Sequence, residues 1–296
     1  MTFAEKLRKA RKESGMSQEL LAEKLGVSRQ AVTKWETDKG IPDIENMIVI
    51  SNLFGISLDE LLSNEKHSTD RRRFLYESKT EYDIDGPKIF DMKLGGAAAL
   101  TVKGHSEEKV IVLLASNDID SVAEDFKVKI DDLKRRIDID VKRKNKMTEA
   151  KAKEGLFIEV LLPDKYLDHI EIECNCNEIG LDNLVCENIE YKGKTSICHV
   201  ASVKGTLEVD SNSDLSVDLD DFEGSFELNQ VSATSRLSVP ADYDFGAVVK
   251  GIKNSITYEV GGVEAEDFSA EDSKNTIELN GSRSELVICK ERAVEV

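Results

Sequence analysis

Two spacings of apolar residues divide the chain. Over roughly the first sixty residues they recur every three or four positions, the mark of amphipathic helices. From about Tyr82 onward they alternate, the mark of strands. In the first part, capping and stop signals fall in order. Thr2 can cap a first helix with Phe3, Leu7 and Ala10 on one side and Gly15 as its stop. Ser17 caps a second, with Leu20, Leu21 and Leu25 apolar and Gly26 ending it. Ser28 caps a third that runs to about Thr37. Pro42 and Asp43 open a fourth, in which Ile44, Met47 and Ile48 form the buried side, Leu53 closes the run and Gly55 ends it. Ser57-Leu58-Asp59-Glu60 is a capping box for a fifth. The expectation is a bundle of five short helices.

The junction between the second and third helices carries the functional signal. Only Gly26 and Val27 separate Leu25 from Ser28, so the two helices must cross steeply, as in a helix-turn-helix. On the third helix, Val32 and Trp35, with Ala31 beside them, form the apolar face. Arg29, Gln30, Thr33, Lys34 and Thr37 form the opposite face, which is polar and carries no acid. Long donors near a helix N-terminus are what major-groove readout needs, because Arg suits guanine O6/N7 and Gln suits adenine N6/N7. Taken alone, such a face is merely solvated; on this junction it points to DNA. Trp35 reads as core, and Glu19, Glu23 and Glu36 as groups satisfied by solvent or neighbouring bases.

Met16 to Glu36, M-S-Q-E-L-L-A-E-K-L-G-V-S-R-Q-A-V-T-K-W-E, then Pro42-Asp43-Ile44 and Phe54 to Leu62 (F-G-I-S-L-D-E-L-L), resemble the phage repressor/Cro helix-turn-helix family, the XRE-type bacterial regulators. The resemblance covers about residues 2–64. It implies base contacts from Arg29, Gln30, Thr33 and Lys34. It also implies a phosphate grip by Gln18, and Ser28, Thr37 and Lys39 stand at positions suited to the DNA backbone.

The alternating region contains Val110-Val112-Leu114, Phe126-Val128-Ile130, Ile137-Ile139-Val141, Phe157 to Leu161 and Ile170-Ile172, with no long helical periodicity. Within it lies a repeat. Leu181-Asp-Asn-Leu184, Val200-Ala-Ser-Val203 and Leu219-Asp-Asp-Phe222 recur every 19 residues, as do Gly205 and Gly224, Leu207 and Phe226, and Val209 and Leu228. Ile179, Cys198 and Val217 keep the same spacing, and the first copy slips by one residue near Ile189. A unit this short cannot bury its own apolar face, whereas stacked copies can, so the expectation is an all-β solenoid (a β-helix or β-roll) rather than a sandwich. The Leu161-Leu162-Pro163 strand end, Ile170 to Glu173, and the K-G-T-L-E-V and E-G-S-F-E-L ladders resemble a bacterial domain labelled putative adhesin, over about residues 85–290. An adhesin label implies a cell surface, at odds with fusion to a DNA-binding module.

Charge sharpens the division. The chain of 296 residues carries 40 Lys+Arg against 58 Asp+Glu, a net of −18, which would repel a polyanion if evenly spread. It is not evenly spread. Residues 1–66 hold 10 basic and 11 acidic groups, and residues 1–42 alone hold 9 and 6, a net of +3; the remainder carries −17. The expected organisation is a helix-turn-helix domain over 1–66, a charged linker over 67–81 that includes Arg71-Arg72-Arg73, and the acidic β domain over 82–296. Lys134-Arg135-Arg136 and Lys142-Arg143-Lys144 are basic islands in that domain and read as a solvated edge strand that discourages aggregation.

Enzyme chemistry finds no foothold. There is no G-x-S-x-G and no phosphate-binding glycine loop, and His67, His105, His169 and His199 lack a recognisable partner spacing. Cys174-x-Cys176 lacks the spacing of a zinc site, and Cys198 sits at a core position of the repeat, so no metal and no cofactor are expected. The charged N-terminus has no apolar signal core, and the mild run Leu94–Val102 is far shorter than the ~20 residues of a membrane span. The expectation is a cytoplasmic transcriptional regulator, not an enzyme, acting as a homodimer on a double-stranded DNA operator. Its β domain would sense, oligomerise, or bind an unknown protein or small molecule. Two alternatives are an envelope-stress scaffold whose solenoid is the working part, and a thiol or metal sensor.

Overall fold

The computed structural model describes residues 3–14, 16–36, 40–54, 74–270 and 272–290. The chain divides into two compact units, Met1–Arg72 and Arg73–Val296.

In the first unit the described helices are α1 (Phe3–Glu13), α2 (Gln18–Leu25), α3 (Arg29–Glu36) and α4 (Ile44–Phe54). Their starts are capped as the sequence requires. The Leu20 N–H donates to Ser17 Oγ at 3.1 Å, Ala31 N–H to Ser28 Oγ at 3.2 Å, and Asn46 N–H to Asp43 Oδ1 at 2.9 Å. Gly26 ends α2 in the left-handed conformation at φ 66°, which turns the chain into α3. Leu7, Leu21, Val32 and Ile50 are fully buried, with Phe3, Ala22, Leu25 and Trp35 around them. The expected buried side of the fourth helix is corrected. Met47 and Ile50 face inward, while Ile48 is 44% exposed. Burial at Met47 sets the phase, and the next residue is turned about 100° away from the core. Thr2, Gly15 and the fifth helix over 57–62 lie outside the described residues.

The second unit is all-β apart from two short helices, α5 (Val122–Asp125) and α6 (Glu149–Gly155), and one helical turn at Asp164–Tyr166. Its described strands form one sheet. Those of its first half are β1 (Tyr76–Asp83), β2 (Lys88–His105), β3 (Lys109–Ser116), β4 (Phe126–Leu133), β5 (Arg136–Arg143), β6 (Phe157–Pro163) and β7 (Leu167–Lys192). There follow β8 (Ile197–Asp210), β9 (Ser216–Val231), β10 (Thr234–Val239), β11 (Gly246–Val249), β12 (Ser255–Val260), β13 (Val263–Ala265), β14 (Thr276–Ser282) and β15 (Glu285–Lys290). The main strand order is β1-β3-β6-β2-β7-β8-β9-β10-β15-β12-β13.

The repeat becomes a register. Strands β2, β7, β8 and β9 pair in parallel, and Ile179, Cys198 and Val217 stand beside one another, as do Leu181, Val200 and Leu219. All six are buried. The one-residue slip near Ile189 is the irregularity between Val185 and Asn188 in the β7–β8 pairing. Each four-residue corner turns on its third residue, Asn183, Ser202 or Asp221, at φ 52°, 52° and 54°. Gly224 (φ 136°) lies against the neighbouring strand β8 so closely that an added Cβ would come 2.0 Å from the Gly205 carbonyl oxygen, which only glycine permits.

After β9 the order is no longer sequential. The start of β9 pairs with β10 and its end with β14; β15 then lies between β10 and β12, and β14 between β9 and β11. The last strands are thus inserted between earlier ones, and this is why the 19-residue period fades after Leu228.

Two expectations are corrected here. The stretch 67–81 is not a linker throughout, because β1 begins at Tyr76 and pairs antiparallel with β3 along its whole length. Its alternating charges, with Lys79 and Lys109 both on Glu81, suit a strand at the end of the sheet order, and they disguise it as linker. Nor do Lys142-Arg143-Lys144 belong to a strand that is an edge throughout. β5 lies between β2 and β4 as far as Asp140; beyond it Lys142 and Arg143 pair with β4 alone, and Lys144 follows the strand, so the edge is confined to its last residues.

Candidate nucleic-acid interface

The surface that could read DNA is the outer side of α3. Its first turn begins at the capping Ser28, and Ser28, Arg29, Gln30, Thr33 and Lys34 are all exposed, while Val32 and Trp35 point into the bundle. The five residues therefore share one surface at the start of the helix. Thr33 Oγ1 donates back to the Arg29 carbonyl at 2.9 Å, which ties its side chain to the helix. Thr37 and Lys39 lie outside the described residues.

Behind this surface sits a polar network that the sequence did not announce. Glu36 is buried, not solvated. Arg11 grips it with two hydrogen bonds, Nε to Oε1 at 2.5 Å and Nη2 to Oε2 at 2.9 Å, and donates a third, from Nη1, to the Met16 carbonyl at 2.7 Å. Gln18 joins from the start of α2. Its Nε2 donates to Glu36 Oε2 at 2.7 Å, and its Oε1 lies 3.3 Å from Thr33 Oγ1. Burial pushes the Glu36 carboxyl up, but the hydrogen bonds from Arg11 and Gln18 and the charges of Arg11 and Arg8 outweigh it, so the net shift is below the usual carboxylate range. The network joins α1, the start of α2 and the end of α3 behind the exposed face of α3. Gln18 spends one amide hydrogen on Glu36. Periodicity held the clue. Glu36 falls four residues after Val32, and Arg11 four after Leu7, so each lies on its helix's buried stripe.

The β unit offers no comparable chemistry. Among the described residues no group of three or more His, Cys, Asp or Glu could hold a metal ion. Burial pushes the Cys198 thiol up to about 12 and the Cys186 thiol up to about 11, so both stay protonated at neutral pH and make poor nucleophiles or ligands. Among the described residues no helix is long and apolar enough to cross a membrane.

The family model described as Helix-turn-helix matches residues 7–61. Over 66 residues the chain is 48% identical to the HTH-type transcriptional activator BcrR of Enterococcus faecalis, a match covering 22% of this chain and 32% of that protein. It is 42% identical over 88 residues to the Uncharacterized HTH-type transcriptional regulator YqaE of Bacillus subtilis, covering 30% of this chain and 72% of that one. The chain thus spans about a third of the first relative and more than two thirds of the second. A crystal structure described as a putative adhesin from Bacteroides fragilis aligns with 73% of this chain and 97% of its own, at 12% identity and a TM-score of 0.41.

Proposed function

The chain belongs to the helix-turn-helix (XRE-type) transcriptional regulators, and from that premise we propose that it recognises a specific operator through α3, with the large β unit as its regulatory part. One observation carries this reading: an exposed, acid-free row of Ser28, Arg29, Gln30, Thr33 and Lys34 on a helix backed by the Arg11–Glu36–Gln18 network. Arg29, Gln30, Thr33 and Lys34 take the base edges, and Gln18 and Ser28, with Thr37 and Lys39, the phosphates. A single short helix contacts too few base pairs for high specificity. We therefore assign a homodimer on two half-sites about 34 Å apart. The protein acts in the cytoplasm, where the DNA is, and works by binding rather than catalysis. Its β unit is a coiled solenoid, a reading supported by parallel pairing at a constant 19-residue offset, and it senses a signal, oligomerises or binds a partner.

Genome-wide mapping of bound DNA, with and without envelope stress, tests the proposal. Enriched sites sharing one motif are expected. Absence of any enriched site under every condition would overturn it.

A further inference from the structure

The β unit carries a basic lobe that regulation by DNA binding does not use. Residues 126–155, which hold β4, β5 and α6, contain 11 Lys+Arg against 6 Asp+Glu, in a domain that is otherwise strongly acidic. The lobe borders a shallow, open cleft of about 790 Å³, completed by Lys93 and Gly95 of β2 and Glu173 of β7.

Backbone geometry creates this cleft. β2 pairs with β5 only as far as Lys93 and Asp140, and β6 joins it only from Ala99. Between these points β2 bulges, with a register shift between Lys93 and Gly95 in its pairing with β7. Gly95 stands at φ 73°, and a Cβ there would lie 2.9 Å from an Arg143 guanidinium nitrogen; its absence makes room for that group on the cleft floor. The rim is a tight turn in which the Met147 N–H donates to the Lys144 carbonyl at 2.8 Å. Asn145 and Lys146 at its centre are both left-handed, at φ 48° and 65°. A lysine held in that region is strained, and such strain collects at functional sites.

The charge inside is unbalanced. Lys93, Lys142, Arg143, Lys144 and Lys146 line the cleft, against Asp140 and Glu173. The nearest carboxylates are loosely engaged: Lys142 to Asp140 at 3.3 Å, Arg143 to Glu149 at 3.6 Å and Lys93 to Asp91 at 3.7 Å. Lys144 and Lys146 form no ion pair among the described residues. We propose that this cleft binds a small phosphate-bearing ligand, with Arg143 as the forked donor on its floor and Lys144 and Lys146 closing over it from the rim. The proposal rests on the regulator reading, and gives the β unit the class of signal it senses. A soluble phosphorylated compound and a lipid headgroup share this chemistry.

The test uses the full chain and inorganic pyrophosphate in isothermal titration, with vesicles of phosphatidylglycerol as the lipid arm. Saturable binding of pyrophosphate is expected, weakened about tenfold or more in K144Q/K146Q and unchanged in K192Q/K194Q, whose lysines do not line the cleft. Vesicle binding lost in the same variant, without pyrophosphate binding, would support the cleft with a headgroup as its ligand. No saturable binding of either probe, or equal affinity in K144Q/K146Q, would overturn the proposal. So would competition by a non-operator duplex that depends on Lys144 and Lys146, because the lobe would then be a DNA-backbone contact. Operator affinity should survive in K144Q/K146Q, so failure of the cleft and failure of the regulator reading would be told apart.

Discussion

In the helical unit, a small apolar cluster and the buried Arg11–Glu36 pair support an exposed row of polar side chains. In the β unit, apolar ladders run across successive parallel strands, and the constraints fall on the backbone, at turn residues in left-handed conformation and at glycines pressed against neighbouring carbonyls. The first unit thus presents polar side chains that packing leaves alone. The second holds positions where even one added carbon collides. Mutations should therefore separate function from stability in opposite ways in the two units.

The largest effect is expected at Gly224. In Gly224→Val the new Cβ meets the Gly205 carbonyl, and the β unit should lose at least about 3 kcal/mol in a denaturant titration. The operator affinity of the chain that remains folded should hold. A loss below about 1 kcal/mol would show that the strands are less tightly packed than described.

Glu36→Ala comes next. It strands the buried Arg11 guanidinium, at a cost of about 3–5 kcal/mol to the helical unit. The pH dependence has a definite sign. The Glu36 carboxyl lies below its unfolded value near 4.5, so its contribution is full above that pH and is lost as pH falls through the folded value. Acid titration followed by helical circular dichroism should show this loss in the wild type and not in Glu36→Ala.

Gln30→Ala should cost about 1–3 kcal/mol in operator binding while leaving thermal stability unchanged, since the side chain is exposed. A matched drop in stability would mean that this face is structural.

The smallest effect sharpens the contrast between the units. Glu190, Glu208, Glu227 and Glu278 stand in one outward column across four strands. Burial, then Asp210 and the flanking glutamates, raise the Glu208 carboxyl above its usual range against the pull of Asn229. A raised carboxyl weakens the fold above its folded value and relents as pH falls. Glu208→Gln should thus stabilise the β unit at neutral pH by less than about 1 kcal/mol, with the gain vanishing in acid.

How much of this could be read from sequence differs between the units for physical reasons. The helical unit was legible at its caps and at the exposed face of α3 because caps and spacing are local: Ser17, Gly26 and Ser28 each act on the adjacent turn. Its ion pair was not, because Arg11 and Glu36 are 25 residues apart and only the fold brings them together. In the β unit the 19-residue repeat translated directly into register from β7 to β9. Beyond Leu228 it did not, because β14, which pairs next to β9, comes 51 residues after its partner there. The basic islands at 134–136 and 142–144 were visible as charge. The bulge at Gly95 that turns one of them toward a cleft belongs to a strand some fifty residues earlier.

The most direct test of operator recognition by α3 is the affinity of Arg29→Ala for the mapped operator and for its single-base variants, measured beside the wild type at one salt concentration. The expected result is a loss of about 1–3 kcal/mol on the parent operator, with discrimination relaxed at one base pair and kept at the others. Unchanged affinity and unchanged discrimination would contradict it.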